Sequence, residues 1–185
     1  VGGAVGGGGW RAQKGVRVAA QDVLESGASA IATPNEDDLE SAMLAGRILA
    51  HAQGFAVLST ASEAFDWSLD MARIAEIWRA GCIIRSALLD EFADAFRGAL
   101  PHGQMILAPA MVECLAASVP GLRRVVAAAA LAGQPLPALS AALSWHDSMA
   151  RGRGTAAMIQ GLRDYFGNPG FRRIDRDGDH PGSWG

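Results

Sequence analysis

The chain has 185 residues, half of them apolar and 19% charged, with a formal net charge of −3. That composition lies far from the disordered regime and supplies enough apolar surface for a real core. The slight negative charge excludes a general attraction to nucleic acid or acidic membranes, and Arg, Asp, Glu or His interrupts every apolar run long enough to span a bilayer. No basic region followed by an apolar core opens the sequence, so no signal peptide is expected, and a reducing, cytoplasmic location is the default. Cys82 and Cys114 sit in apolar helical patterns and are expected to be buried, reduced thiols.

In chain order, residues 1–11 form a Gly-rich end or linker. The run at 6–9 could instead cradle a phosphate, but no strand precedes it and no strand–helix–strand pattern surrounds it. A short helix is expected over 18–26, closed by Gly27. Thr33-Pro34-Asn35-Glu36-Asp37-Asp38 reads as a helix start: capping side chains, a proline, and carboxylates that suit the N-terminal dipole. The acidic triplet is better explained by that role than by metal binding. Leu39, Met43, Leu44, Ile48, Leu49, Ala52, Phe55 and Ala56 then recur at helical spacing, and the helix should end near Ala64. One long helix is expected over 69–98. Its centre, 77–89, is apolar on nearly every side and should be surrounded by protein. Shorter helices follow at 109–118, 120–132, 137–150 and 154–166, punctuated by Pro109, Pro120, Gly133, Pro135 and Pro137. Beyond Gly167, Pro169, Gly170, Gly178, Pro181 and Gly182 rule out a regular helix. No stretch alternates with period two, so a sheet is not expected. The fold class is therefore all-α: a multi-helix bundle over 12–166 with an irregular C-terminal tail over 167–185. The four histidines are scattered without metal-ligand spacing. Trp67, Trp78 and Trp145 are expected to pack in the core or an interface, because no basic stripe accompanies them.

Five stretches carry a more specific signal because they occur together and in order. They are Ala12-Gln13-Lys14-Gly15 with Arg17; His51-Ala52-Gln53-Gly54-Phe55; Ile77-Trp78-Arg79-Ala80-Gly81-Cys82-Ile83-Ile84-Arg85-Ser86; Gly133-Gln134-Pro135-Leu136-Pro137 with Ala142-Leu143-Ser144-Trp145-His146-Asp147; and Gln160 to Gly167, which contains Arg163-Asp164-Tyr165-Phe166-Gly167. In that order they resemble the C-terminal, all-helical half of the 6-phosphogluconate dehydrogenase family, across about 12–185. The resemblance implies an oxidative decarboxylation. NADP takes hydride from C3 of 6-phosphogluconate, the 3-keto acid loses carbon dioxide, and the enediol is protonated to ribulose 5-phosphate. It also implies a homodimer in which the tail of one subunit reaches the active site of the other. The family's general base, acid and dinucleotide fold lie in a half not represented here. NADP is then expected to bind mainly to an upstream or separate nucleotide-binding domain, and the chain alone is expected not to turn over. Neither nucleic acid nor membrane is an expected partner.

Two substrate-binding residues follow from the resemblance. Arg163 matches the arginine of R-D-Y-F-G, which the family uses to hold the substrate phosphate from the neighbouring subunit. A guanidinium offers phosphate a planar fork of donors. Arg17 is the cation nearest to the phosphate-binding lysine of the family's Q-K-G-T-G-K-W-T loop, and it reads equally as a solvated charge. Three departures stand against these matches. The Trp-Thr pair of that loop is replaced among Val18, Ala19 and Ala20. Asn168-Pro169 stands where the family has a substrate-contacting histidine, and His180 fits the family's H-T-x-W ending instead. The interval from Ala28 to Asp38 is short and lacks an arginine that the family uses. No catalytic residue is therefore assigned. A degenerate, non-catalytic dimerisation module of the same superfamily is the competing reading. A related β-hydroxyacid dehydrogenase is a third, disfavoured by the Cys82-to-Ser86 and Arg163-to-Gly167 motifs.

Overall fold

The computed structural model describes residues 12–24, 34–81 and 86–184. The glycine run at 6–9, the stop at Gly27, Cys82 and Arg85 lie outside them. Among the described residues seven α-helices carry nearly all of the regular structure, and the molecule is all-α as its sequence implies.

Helix α1 (Lys14–Val23) begins at Lys14, not at the expected Val18. Gly15 is the one strong helix-weakener in a stretch otherwise compatible with the helix, so the segment expected as a loop is helical through Arg17. It buries no residue. Helix α2 (Glu36–Ala64) has the expected bounds. The Asn35 side chain accepts the Asp38 N–H at 2.7 Å, and Glu36, Asp37 and Asp38 occupy the first turn, where the helix dipole favours anions. Its inner face is Ala42, Ala45, Gly46, Ile48, Leu49, Ala52 and Phe55. Leu39, Met43 and Leu44, expected on that face, are exposed. Small residues take the inner positions because neighbours come close. A Cβ added at Gly46 would lie 2.4 Å from Leu139, and one at Gly121 would lie 2.5 Å from Ser41.

The single helix expected over 69–98 is two helices, α3 (Met71–Gly81) and α4 (Leu88–Arg97). Ser86 and Ala87 are not helical, and the Ser86 hydroxyl accepts the Leu88 N–H at 3.2 Å. Such a local bond competes with the helical ladder. Ile77 is 56% exposed, so the apolar run is not enclosed at its start. The two helices pack on each other, and ion pairs Arg79–Asp90 and Arg97–Glu76 tie their outer faces.

Two single 3₁₀ turns, Pro101–Gly103 and Met105–Leu107, lead into α5 (Pro109–Leu131). The break expected at Pro120 does not occur. Losing the proline's N–H costs roughly 3 kcal/mol in a helix interior. Met111, Leu115 and Val119 before it and Leu122 and Val125 after it continue one buried face, and α5 packs along α2. Several buried side chains at roughly 1.5–3 kcal/mol each outweigh the missing bond. At 23 residues, with an 18-residue stretch of mean hydropathy 1.4, α5 is long and apolar enough to cross a membrane, contrary to the sequence expectation. Its apolarity serves the contact with α2, and it also carries Glu113, Arg123 and Arg124. The helix closes on Gly133, whose positive φ lets Gln134 N–H reach Ala129 O at 2.8 Å and Gly133 N–H reach Ala130 O at 3.2 Å. Helix α6 (Pro137–Met149) follows, then α7 (Ala156–Gly167). The tail contains one small antiparallel pair, β1 (Phe171–Arg172) with β2 (Asp179–His180), a local ladder that the sequence reading did not anticipate.

The chain divides into two compact units between Trp145 and His146. The first is built on one core, where Ile48, Leu49 and Phe55 of α2 meet Leu89 and Phe92 of α4 and Met111 and Leu122 of α5. Phe55 sits among Trp78, Phe92 and Phe96 at centroid distances of 5.1, 6.4 and 4.7 Å. Trp78 and Trp145 pack against this core as expected, whereas Trp67 is exposed and stacks on Phe65. Cys114 is a half-buried free thiol. Asp38 and Arg124 pair between α2 and α5; the Arg124 guanidinium holds the Asp38 carboxyl below its usual range. The second unit comprises the end of α6 from His146, then α7 and the tail.

Candidate functional site

In the second unit α7 ends at Asn168, whose left-handed backbone reverses the chain while its N–H donates to Asp164 O at 2.7 Å. Asparagine tolerates that conformation better than most side chains. Pro169 cannot continue the helix, and the tail folds back along it. The fold-back converges on one side chain. Asp164 is 1% exposed. Gly170 N–H donates to its Oδ1 at 2.7 Å, and Gly182 N–H and Trp184 Nε1–H donate to Oδ2 at 2.6 and 2.7 Å. The Gly182 amide, then the Trp184 indole and the Gly170 amide, stabilise the charged form and hold this carboxyl below its usual range, against burial that would raise it. Among the described residues no cation takes part.

The Trp184 ring lies over Gly161, where an added Cβ would stand 3.7 Å from it. It meets Tyr165 edge-on at 5.9 Å and Phe171 at 6.5 Å. Arg163 projects from the same turn, exposed, and among the described residues no carboxylate pairs with it. Beside α7 is an open groove of about 930 Å³, lined by Gln160, one turn before Arg163, and by Phe171, Arg172, Arg173, Asp175 and Asp179. The hairpin cations in it are already engaged. Arg173 forms a two-pronged bond to Asp175 at 2.8 and 2.7 Å, which lowers the Asp175 pKa, and Arg172 lies 3.9 Å from Asp179. His180 donates from Nε2 to Asp177 O at 2.8 Å, a bond internal to the hairpin. Among the described residues no group of three metal-ligating side chains assembles.

Arg17 lies in the first unit, exposed on the first turn of α1, its N–H bonded to Gln13 O. The two arginines read from the sequence are thus carried by different units. Sequence reading missed Asp164, although it stands beside Arg163 in the same motif. The available signal was a carboxylate one turn before a helix end, followed by a tail rich in glycine that ends in a tryptophan.

Residues 10–184 match the family described as 6-phosphogluconate dehydrogenase, C-terminal domain. The chain is 41% identical over 137 residues to the decarboxylating 6-phosphogluconate dehydrogenase of Treponema pallidum, covering 74% of the chain and 28% of that protein. It is 36% identical over 172 residues to the NAD(+)-dependent, decarboxylating enzyme of Bacillus subtilis, covering 91% of the chain and 37% of that protein. Among solved structures it is similar to Plasmodium falciparum 6-phosphogluconate dehydrogenase, described in apo form and in complexes with NADP+ and with 6-phosphogluconate. The TM-score is 0.82 at 31% identity, over 92% of this chain and 38% of that one. The chain therefore spans only about a third of the length of these proteins.

Proposed function

This chain belongs to the 6-phosphogluconate dehydrogenase family through its C-terminal domain, and on that premise we propose that it holds 6-phosphogluconate for oxidative decarboxylation to ribulose 5-phosphate. The relatives are oxidoreductases that decarboxylate this substrate. The observation that carries the reading is Arg163: an exposed guanidinium without a carboxylate partner among the described residues, on a helix turn fixed by the folded-back tail. Its part is to bind and orient the substrate phosphate with a charge-assisted fork. Arg17 is proposed as a second phosphate contact. The functional division is then a helical substrate-holding and dimerising body over 12–166 and a tail over 167–185 that completes the site.

NADP is proposed as the hydride acceptor, as in the described complex of the Plasmodium falciparum relative. Dinucleotide pyrophosphates are commonly cradled where a strand turns through glycines into a helix. The described residues offer no such turn, so the cofactor is assigned to a nucleotide-binding half. A homodimer is proposed from the apolar side chains exposed on α7 and the tail, among them Phe166 and Ile174. The proposed setting is cytoplasmic.

The competing reading, a non-catalytic dimerisation module, is favoured by Asn168-Pro169 in the tail and by a helical Arg17 segment in place of a phosphate loop. An assay of NADP reduction separates the two. The 185-residue chain alone is expected to be inactive with 6-phosphogluconate, and the same chain joined to the nucleotide-binding half of a relative is expected to turn over. If the joined protein binds NADP and stays inactive, the non-catalytic reading replaces this one.

A further inference from the structure

We infer that Asp164 is the positioning residue of the phosphate site: its carboxylate latches the tail over 170–184 to the last turns of α7 and so fixes the turn that presents Arg163. The inference rests on the phosphate-binding reading of Arg163 and goes beyond it, because Asp164 itself points away from solvent and would touch no ligand.

Three features carry it. Donors 6, 18 and 20 residues further along the chain meet on two oxygens, so a single side chain closes both the start and the end of the tail onto the helix. The closed tail lays Trp184 over Gly161 and against Tyr165, the residues two before and two after Arg163. Arg163 is therefore mounted on a turn clamped on both sides, one turn from the helix end, where an unclamped helix frays. A guanidinium on a fixed turn loses less freedom on binding phosphate than one on a fraying end. The groove walls at Phe171 and Arg172 lie within the same latched segment, so release of the tail would disperse them too.

Asparagine at 164 would keep one acceptor oxygen of the two and lose the charge; alanine would lose both. The test compares Asp164→Asn, Asp164→Ala and Trp184→Phe in the chain joined to a nucleotide-binding half. Amide exchange at Gly170 and Gly182 is read alongside titrations with 6-phosphogluconate and gluconate, and exchange in α2 serves as a control for the first unit. Alanine is expected to abolish protection of both glycines, leave α2 protected, and weaken 6-phosphogluconate about tenfold through lost preorganisation. Asparagine and Trp184→Phe are expected to fall between alanine and the parent in both readouts. Protection lost with affinity unchanged would overturn the positioning role; protection retained in the alanine variant would overturn the latch. Arg163→Ala, run in parallel, isolates the premise. If it leaves 6-phosphogluconate affinity unchanged, the phosphate reading fails and this inference with it, and Asp164 is then a fold contact only.

Discussion

Asp164 is a buried anion that no cation neutralises among the described residues; two backbone amides and an indole stabilise it instead. Its folded-state pKa lies below the unfolded value, so the linkage has a definite sign. The stabilisation is fully present above about pH 4, the ordinary aspartate value, and is lost as pH falls through the depressed folded-state value. The Trp184 indole N–H resonance is expected to stay in its bonded position at neutral pH and to move to the free position in acid. Asp175, held low by Arg173, titrates in the same direction, so Asp164→Asn provides the control and should show no such acid step. An identical step in both proteins would assign it to another carboxylate. The place of Arg163 near a helix end was legible because its neighbours form a motif that closes the helix. Asp164 was not, because its partners lie as far as 20 residues away and depend on how the tail folds back.

Helix α2 illustrates what an element reveals locally. Asn35 and three acidic residues fix its start through contacts within one turn, and both of its bounds could be read before any packing was known. The fate of Pro120 and of the 77–89 run could not. A proline in an apolar stretch ends a helix or is carried through it according to what the neighbouring faces bury, and here α2 supplies that face. The contact also explains why Leu39 and Met43 point outward while alanines and Gly46 point in. Gly121 of α5 lies against Ser41 and the Asp38 carbonyl, so Gly121→Ala is expected to destabilise by about 1–3 kcal/mol through overpacking. Gly54→Ala, on the open side of α2 with nothing within 4 Å, is expected to gain roughly 0.5–1 kcal/mol from helix propensity. Urea melts of the two variants measure both, and equal effects would contradict the close α2–α5 approach.

At the scale of the whole molecule, the two units differ in what they bury. The first has a continuous core, and the second holds its tail through Asp164 and the packing of Trp184 on α7 and leaves Phe166 at 82% and Ile174 at 83% exposed. Apolar surface of that kind suits an obligate interface, which often buries more than roughly 2,000 Å². Sedimentation of the 185-residue chain is expected to show a dimer at low micromolar concentration, and a folded monomer there would contradict the proposed assembly. The central claim is that this domain holds the phosphate of 6-phosphogluconate through Arg163. Its most direct test is a titration of 6-phosphogluconate, with gluconate as the phosphate-free control, into the chain joined to a nucleotide-binding half. A charge-assisted contact contributes about 1.5–3 kcal/mol, so Arg163→Ala should weaken 6-phosphogluconate by roughly ten- to a hundredfold and leave gluconate unchanged. Arg163→Lys should recover part of the loss, because it restores the charge without the fork. Unchanged affinity for both ligands in Arg163→Ala would contradict the claim.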